Sequence, residues 1–283
     1  MTSLPKHRLG KDGPEVSCLG FGLMGLSGAY GAFESTEDRL KLLDRAYELG
    51  ERFWDSADVY GDNEDLVGEW FRRNGKRDDI FLATKFALSF NHQGGMETRS
   101  DPEYVMAACN KSLQRLGIDC IDLYYCHRVD GKTPIEKTVE AMAELKKEGK
   151  IRHLGLSEVS SETLRRAYAV HPIACVQMEY SPFAMDIENP TIALLKTCRE
   201  LGVATVAYSP LGRGFLTGAY QSPADFEEGD FRKLCPRFSE ENFPKNLELT
   251  KHLEEMAKKK GCTSGQLSLA WLLSQGNDIF PIP

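Results

Sequence analysis

The sequence predicts an α/β fold, a (β/α)8 TIM barrel preceded by an N-terminal β-hairpin, from three observations. Eight short apolar runs alternate with helical segments, which is typical of parallel strands covered by helices. The 283 residues suit one closed barrel of eight such units better than an open doubly wound sheet. No G-x-G-x-x-G motif follows the first strand, which argues against a Rossmann domain. We therefore expect residues 1–283 to form a single domain.

The composition excludes several classes of protein. Hydrophobic residues make up 41% of the chain and charged residues 27%, as in ordinary globular domains. The 35 Lys and Arg against 42 Asp and Glu give a net charge of −7, which argues against a nucleic-acid partner. No run approaches the roughly 18 apolar residues of a membrane span, and residues 1–6 lack the apolar core of a signal peptide. The eight cysteines are scattered without a C-x-x-C pair, so we expect a cytoplasmic protein without a metal site.

The first half of the chain contains the hairpin and four of the predicted strands. Asp12-Gly13 between short strand-like flanks predicts the hairpin, and residues 16–22 are predicted as the first barrel strand. Ser35 and Thr36 begin the first helix, which ends at Gly50. The elements that follow are a strand at 53–57, a helix at 63–71, a strand at 80–85, a Gly-rich loop at 91–95, a helix that begins at Asp101-Pro102 and a strand at 121–127.

The second half repeats the same alternation. Residues 134–149 form an amphipathic helix, because Ile135, Val139, Met142 and Leu145 are spaced four, three and three apart. The remaining strands are predicted at 151–157, 174–180, 203–208 and 279–283, the remaining helices at 161–169, 192–201, 246–260 and 264–275, and a long polar loop at 211–244.

Polar side chains stand where the predicted strands end. The second strand ends near Asp55 and Tyr60, the third at Lys85 and the fourth at His127. In a barrel of this kind the active site lies at the carboxyl ends of the strands. Because neighbouring strands are about 4.8 Å apart, we expect these four side chains to form one cluster.

The chemistry of such a cluster favours proton transfer to oxygen. A free tyrosine has a pKa near 10, and a nearby ammonium group such as Lys85 stabilises the phenolate and lowers that pKa. A buried Lys85 needs the counter-charge that Asp55 supplies. His127 offers a hydrogen bond to a substrate oxygen. The set suits donation of a proton to an oxygen that gains negative charge, as in carbonyl reduction by a hydride donor.

Each member of the cluster also has a simpler interpretation. A lone Lys85 is more often a solvated charge at a strand end, and a lone His127 is more often a core histidine. Asp55 can cap the following turn, and Tyr60 can simply pack. The occurrence of all four at consecutive strand ends favours a shared site.

Several short motifs resemble those of the aldo-keto reductases, nearest to the perakine-reductase-like and fungal yakC-like branch. They follow the order and spacing of that family from about Leu9 to Pro283. The resemblance implies a small-molecule carbonyl substrate, an aldehyde or ketone, that is reduced with NADPH. It also implies that Tyr60 is the general acid. The motifs are Asp55-x-Ala57-x-x-Tyr60-Gly61, Ala83-Thr84-Lys85, Leu123-Tyr124-Tyr125-Cys126-His127, Gly155-Leu156-Ser157, Val176-Gln177 and Ala207-Tyr208-Ser209-Pro210-Leu211-Gly212.

The same resemblance implies roles for the other site residues. Lys85 and Asp55 would tune Tyr60, and His127 would orient the carbonyl. Residues implied in cofactor binding are Ser157 and Gln177 at the carboxamide, Tyr208 on the nicotinamide ring, Ser209, Leu211, Gly212, Arg213 and Gly214 along the pyrophosphate, and the backbone of Gly22 and Met24.

The sequence departs from the family pattern in two places. Glu158 stands where many members have Asn. Members also continue past Pro283 with a Gly-x-x-Lys stretch and an Arg or Asn that hold the 2′-phosphate, then a final helix and a tail. Lacking these, the chain is expected to bind NADPH weakly or with an altered preference, and to expose an apolar stripe on its eighth strand. Sub-micromolar NADPH binding with a strong preference for the 2′-phosphate would contradict the first expectation.

Some alternatives stay open on the sequence alone. The second functional hypothesis is a non-catalytic, regulatory barrel that senses the nicotinamide redox state. Such a barrel would be similar to the potassium-channel β subunits of this superfamily. In the long loop, Phe226, Phe231 and Phe238 suggest either an apolar substrate pocket or a small core of their own. Arg115 and Arg128 either contribute to the site or are simply solvated.

Overall fold

The computed structural model describes residues 4–90 and 95–283, so most of the predicted Gly-rich loop, residues 91–94, lies outside the described residues. The strands β1 to β12 are Lys6–Arg8, Glu15–Ser17, Phe21–Gly22, Phe53–Asp55, Phe81–Phe86, Leu88–Phe90, Met96–Thr98, Ile121–Cys126, Ile151–Ser157, Cys175–Glu179, Ala204–Tyr208 and Ile279–Ile282. The helices α1 to α8 are Thr36–Glu48, Asn63–Asn74, Pro102–Leu116, Ile135–Lys147, Ser161–Val170, Leu194–Leu201, Phe243–Lys260 and Ser264–Ser274.

Eight of these strands form one parallel sheet that closes into a barrel. Their order is β3-β4-β5-β8-β9-β10-β11-β12, and each neighbouring pair is parallel. The sheet closes because the amide of Gly20 donates to the carbonyl of Pro281 and that of Gly22 donates to Pro283, both at 2.9 Å. The helices α1 to α6 alternate with the strands, and the predicted (β/α)8 barrel is confirmed.

The N-terminal hairpin is also confirmed, but the boundary of the first barrel strand was predicted wrongly. Residues 16–22 are not one strand: Val16 pairs with His7 in the antiparallel hairpin of β1 and β2, and the barrel strand is only Phe21–Gly22. Between them Gly20 passes close to the last strand, where a Cβ would lie 2.8 Å from Ile282 Cγ2. This close approach ends the hairpin and begins the barrel strand.

One element was missed, and several other bounds differ from the predictions. The segment after β5 contains a second hairpin of β6 and β7, with Ser89 opposite Glu97, which the sequence pattern did not indicate. Helix α7 begins at Phe243 rather than 246 because Pro244 fits the first turn, where a helix needs no amide donor.

The last barrel strand is covered, so the expected apolar stripe is wrong. All four residues of β12 are buried, and α8 packs against the strand. Phe280 belongs to the core inside the barrel together with Phe53 and Leu123, and Leu9 of the N-terminal hairpin joins the same cluster. Among the described residues, none of the helices has the length and apolar character required to cross a bilayer.

The long loop after β11 has a small core of its own. Phe226 and Phe238 are buried together with Phe215 and Phe243, so for these two the core interpretation is correct. Phe231 is 45% exposed and belongs to neither the cluster nor the barrel interior. The loop is therefore a packed unit beside the carboxyl ends of the strands.

Candidate active site

The chain turns sharply after β4, and this turn brings Tyr60 back over the end of the strand. The amide of Ser56 donates to Ala83 O at 2.8 Å, and that of Asp58 donates to Lys85 O at 3.0 Å, which ties the segment to β5. The amide of Tyr60 then donates to Ala57 O at 3.2 Å. As a result the phenol of Tyr60 lies 3.4 Å from Lys85 Nζ.

Lys85 is the centre of the site. It is fully buried, and its Nζ donates to Asp55 Oδ1 in a short contact and to Ser56 O at 2.6 Å. Burial opposes the charged form, but the attraction of Asp55 and Tyr60 outweighs it and raises the pKa of Lys85. The side chain is thus an ammonium group held against the phenol oxygen.

Asp55 contacts both sides of the barrel. Its Oδ1 accepts from Lys85 of the neighbouring strand β5. Its Oδ2 accepts from Gln177 Nε2 of β10 at 2.8 Å. Both carboxylate oxygens therefore have a buried hydrogen-bond donor, as a buried charge requires.

His127 lies beside Tyr60 at the end of β8. Its ring is perpendicular to that of Tyr60, with centroids 6.0 Å apart and planes at 84°. Burial, with smaller effects from Lys85 and Arg128, lowers the pKa of His127 well below its usual value. The imidazole is therefore neutral at physiological pH, with one nitrogen that donates and one that accepts. Its Nδ1 is buried without a hydrogen-bond partner within residues 4–90 and 95–283.

Three of the residues implied in nicotinamide binding stand on neighbouring strands. Gln177 pairs in register with Ser157 on β9, and Tyr208 ends β11 next to β10. Ser157 and Gln177 are buried. Burial raises the pKa of the Tyr208 phenol, which therefore stays neutral and has an uncharged ring. This row of polar groups and one aromatic ring extends the site from Asp55 across the barrel.

The loop after β11 begins with strained backbone. Ser209 and Arg213 adopt left-handed φ values of 50° and 58°, as do Gly212 at 57° and Gly214 at 85°. Left-handed backbone at residues other than glycine is costly and is concentrated at ligand sites. The Arg213 guanidinium donates to Cys235 Sγ at 3.2 Å and, in the described part of the chain, forms no ion pair with a carboxylate.

The segment after β3 completes the site. Gly22 lies at the closure of the barrel, where a Cβ would be 3.0 Å from the carbonyl oxygens of Ile282 and Pro283. Met24 begins the short 3-10 turn Met24–Ser27, and the amide of Leu23 donates to Asp55 O at 2.9 Å. The structure thus places this segment beside β4 and the catalytic candidates.

Arg128 is a site residue that the sequence argument left open. Its Nη1 donates to Ser157 Oγ at 3.1 Å and to His127 O at 2.6 Å, so it connects the ends of β8 and β9. Its position directly after His127 in the sequence was the available signal. A second arginine, Arg115, contacts the segment that carries Tyr60.

Comparison with known proteins shows the family to which the chain belongs. The profile of the Aldo/keto reductase family matches residues 18–283. The chain is 57% identical over 285 residues to aldo-keto reductase str7 of Strobilurus tenacellus. The alignment covers 99% of this chain and 83% of that protein. The chain is 52% identical over 284 residues to aldo-keto reductase yakc [NADP(+)] of Schizosaccharomyces pombe, with the same coverage. The chain belongs to the aldo/keto reductase family and is an oxidoreductase.

Solved structures show the same fold. The glycerol dehydrogenase AKR11B4 from Gluconobacter oxydans superposes with a TM-score of 0.85 at 28% identity, over 98% of this chain and 85% of that chain. The aldo-keto reductase AKR11C1 from Bacillus halodurans superposes with a TM-score of 0.79 at 30% identity, over 99% and 85%.

Proposed function

We propose that the protein reduces an aldehyde or ketone to an alcohol with NADPH, and that Tyr60 donates the proton. The observation that carries this proposal is the buried Lys85 ammonium, which contacts Asp55 on one side and the Tyr60 phenol at 3.4 Å on the other. A buried cation aimed at a phenol has no structural need, whereas it assists a phenol that must give up its proton.

The residues perform the proton half of the reaction. The neutral His127 donates a hydrogen bond to the carbonyl oxygen and orients it. As that oxygen gains negative charge, Tyr60 transfers its hydroxyl proton to it, the new O–H bond forms, and the phenolate that remains is stabilised by Lys85. Asp55 keeps Lys85 charged throughout. The bound cofactor supplies the hydride to the carbonyl carbon.

The donors near the site fit a dinucleotide phosphate. Ser157 and Gln177 offer buried polar atoms for the carboxamide, and the uncharged Tyr208 ring offers a face for the nicotinamide. Arg213 supplies a cation for phosphate at a strained loop that also contains Gly212 and Gly214. The name of the relative from Schizosaccharomyces pombe, yakc [NADP(+)], supports NADPH as the cofactor. Further contacts to the cofactor would come from Ser209, Leu211, Gly22 and Met24.

We also propose that residues 1–283 form one catalytic domain that acts in the cytoplasm. The alternation of strands and helices continues without a linker, which supports one domain. The scattered cysteines support a reducing compartment.

The test is NADPH oxidation with a panel of aldehydes and ketones, followed by absorbance. The Tyr60→Phe variant should lose at least about a thousandfold in kcat, because the phenyl ring has no proton to give, while its NADPH affinity stays near that of the wild type. Tyr168→Phe is the control, since Tyr168 lies on α5 beside Lys11. Undiminished turnover by Tyr60→Phe would refute the proposal. If the folded wild-type protein binds NADPH but does not oxidise it with any carbonyl in the panel, the result would favour a nicotinamide-sensing barrel.

A further inference from the structure

Arg115, in the last turn of α3, binds the segment that carries Tyr60 on both sides of the tyrosine. Its Nη1 donates to Asp58 O at 3.0 Å, and its Nη2 donates to Gly61 O. The same guanidinium is bound to Asp65 Oδ2 through Nε at 2.9 Å and Nη2 at 2.8 Å. One rigid side chain thus fixes the backbone before and after the proton donor.

A second connection runs from Arg115 to the strand that carries Lys85. Arg115 Nη1 lies 3.2 Å from Glu64 Oε2, and Glu64 is fully buried. The other oxygen of Glu64 accepts from Thr84 Oγ1 at 2.7 Å, and Thr84 immediately precedes Lys85. A continuous series of hydrogen bonds therefore joins the Tyr60 segment to β5.

The helices are packed closely enough for this arrangement because of Gly68 on α2. A Cβ at this position would lie 2.6 Å from Arg115 O and 2.8 Å from Leu116 O, so a side chain there would push α3 away. Gly68 is one helical turn after Glu64 and shares its face. The close contact of α2 with the end of α3 is what brings the Arg115 guanidinium within reach of Glu64.

We propose that Arg115 is a positioning residue for the reaction and sets the position of the Tyr60 phenol relative to Lys85. This inference rests on the proposed role of Tyr60 as proton donor. The phenol and the ammonium are 3.4 Å apart, and a displacement of about 1 Å in such a pair can reduce the rate by up to about 100-fold. Apart from the bond of Asp58 N to Lys85 O at 3.0 Å, the turn that carries Tyr60 has short-range backbone bonds, such as that of Gly61 N to Val59 O at 2.9 Å.

Two substitutions separate the positioning role from a merely structural one. Arg115→Lys keeps the charge opposite Glu64 but cannot bind the two carbonyls and Asp65 together. Arg115→Gln removes the charge as well. We expect kcat to fall about tenfold or more in both variants, with an unchanged Kd for NADPH and a larger loss of thermal stability in Arg115→Gln. In both variants the loss should appear in kcat and not in KM, because the displaced phenol acts in the chemical step.

The matched control is Arg166→Gln, which removes a bidentate ion pair between two helices, with 2.8 Å contacts to Glu136, on another side of the barrel. It should leave kcat and KM unchanged. Wild-type kcat in Arg115→Lys would overturn the inference, and so would an effect confined to KM. If Tyr60→Phe abolishes turnover and Arg115→Lys does not change it, only the positioning role fails. Undiminished turnover in Tyr60→Phe would instead refute the proposed function.

Discussion

Gln177 Nε2 and Asp55 Oδ2 are joined by a hydrogen bond of 2.8 Å across the interior of the barrel. This contact links β10 to β4, which are far apart in the sheet order. Asp55 therefore holds Lys85 with one oxygen and Gln177 with the other. The residue proposed to bind the nicotinamide carboxamide is thus directly connected to the carboxylate that binds Lys85 beside the proposed proton donor.

Replacement of Gln177 should affect both halves of the reaction. We expect Gln177→Met to weaken NADPH binding about tenfold, which corresponds to about 1.4 kcal/mol and is the size of one hydrogen bond between neutral groups. The kcat should fall as well, because Asp55 loses a donor and is less firmly held against Lys85. Fluorescence titration with NADPH and steady-state kinetics measure the two effects. Gln114→Met on the exposed face of α3 is the control, and a variant that loses affinity at full kcat would contradict the coupling.

The buried Asp55–Lys85 pair should make a large contribution to stability when only one partner is removed. Asp55→Asn leaves a buried ammonium without its counter-charge, so we expect a loss of about 3–5 kcal/mol in the free energy of unfolding. The double variant Asp55→Asn with Lys85→Met should recover most of that loss while remaining inactive. Urea unfolding of the single and double variants gives the comparison. A double variant as unstable as Asp55→Asn would show that the unpaired charge is not the cause.

The neutral state of His127 should depend partly on Arg128. Burial is the main cause of the lowered pKa, and the charges of Lys85 and Arg128 add to it. Arg128→Gln should therefore raise the pKa of His127 toward its usual value, because a nearby positive charge is removed. Titration of the His127 ring by NMR follows this directly. No movement of the His127 titration would exclude the electrostatic role.

Stability should depend on pH through Asp58. Burial, and to a lesser extent Glu64, raises the pKa of Asp58 to about 7, above the value of about 3.9 for an unfolded chain. Between these two values the folded protein holds a proton that the unfolded chain releases, so the free energy of unfolding increases as pH falls from 8 to 5 and the penalty for the charged carboxylate is relieved. Asp58→Asn should remove the effect and stabilise the protein at pH 8 by about 2 kcal/mol, allowing for screening by solvent.

Unfolding free energies at pH 5 and pH 8 provide the measurement for Asp58. Glu51, whose pKa burial also raises to about 7, keeps part of the pH dependence in the single variant. The double variant Asp58→Asn with Glu51→Gln should therefore be flatter still. An Asp58→Asn variant with the full wild-type difference between the two pH values would contradict the prediction.

The sequence was sufficient for the parts of the site that depend on local pattern. Lys85 and His127 follow directly from the ends of apolar strands, and barrel geometry then brings such ends together. The bond between Gln177 and Asp55 was not predictable, since it joins residues 122 positions apart and depends on how far side chains reach across the barrel. The same holds for Arg115, whose contact with Glu64 spans 51 positions and depends on the packing at Gly68.

The boundary errors have a similar cause. Val16 looked like the start of a barrel strand because an apolar run does not show which neighbour it will pair with. Its partner, His7, is selected by the hairpin turn, and the barrel strand is left with only Phe21–Gly22. Local propensity gave the strand, whereas the tertiary contacts of Gly20 gave its end.

The closure of the barrel between the first and last strands has an unusual directional character. Gly20 and Gly22 donate to the carbonyls of Pro281 and Pro283, but a proline has no amide hydrogen and cannot return a bond. Within the described residues, this junction therefore lacks a return bond from Pro281 or Pro283. We expect local opening of the barrel to occur most readily at this junction, and such opening would move Gly22 and Met24 together.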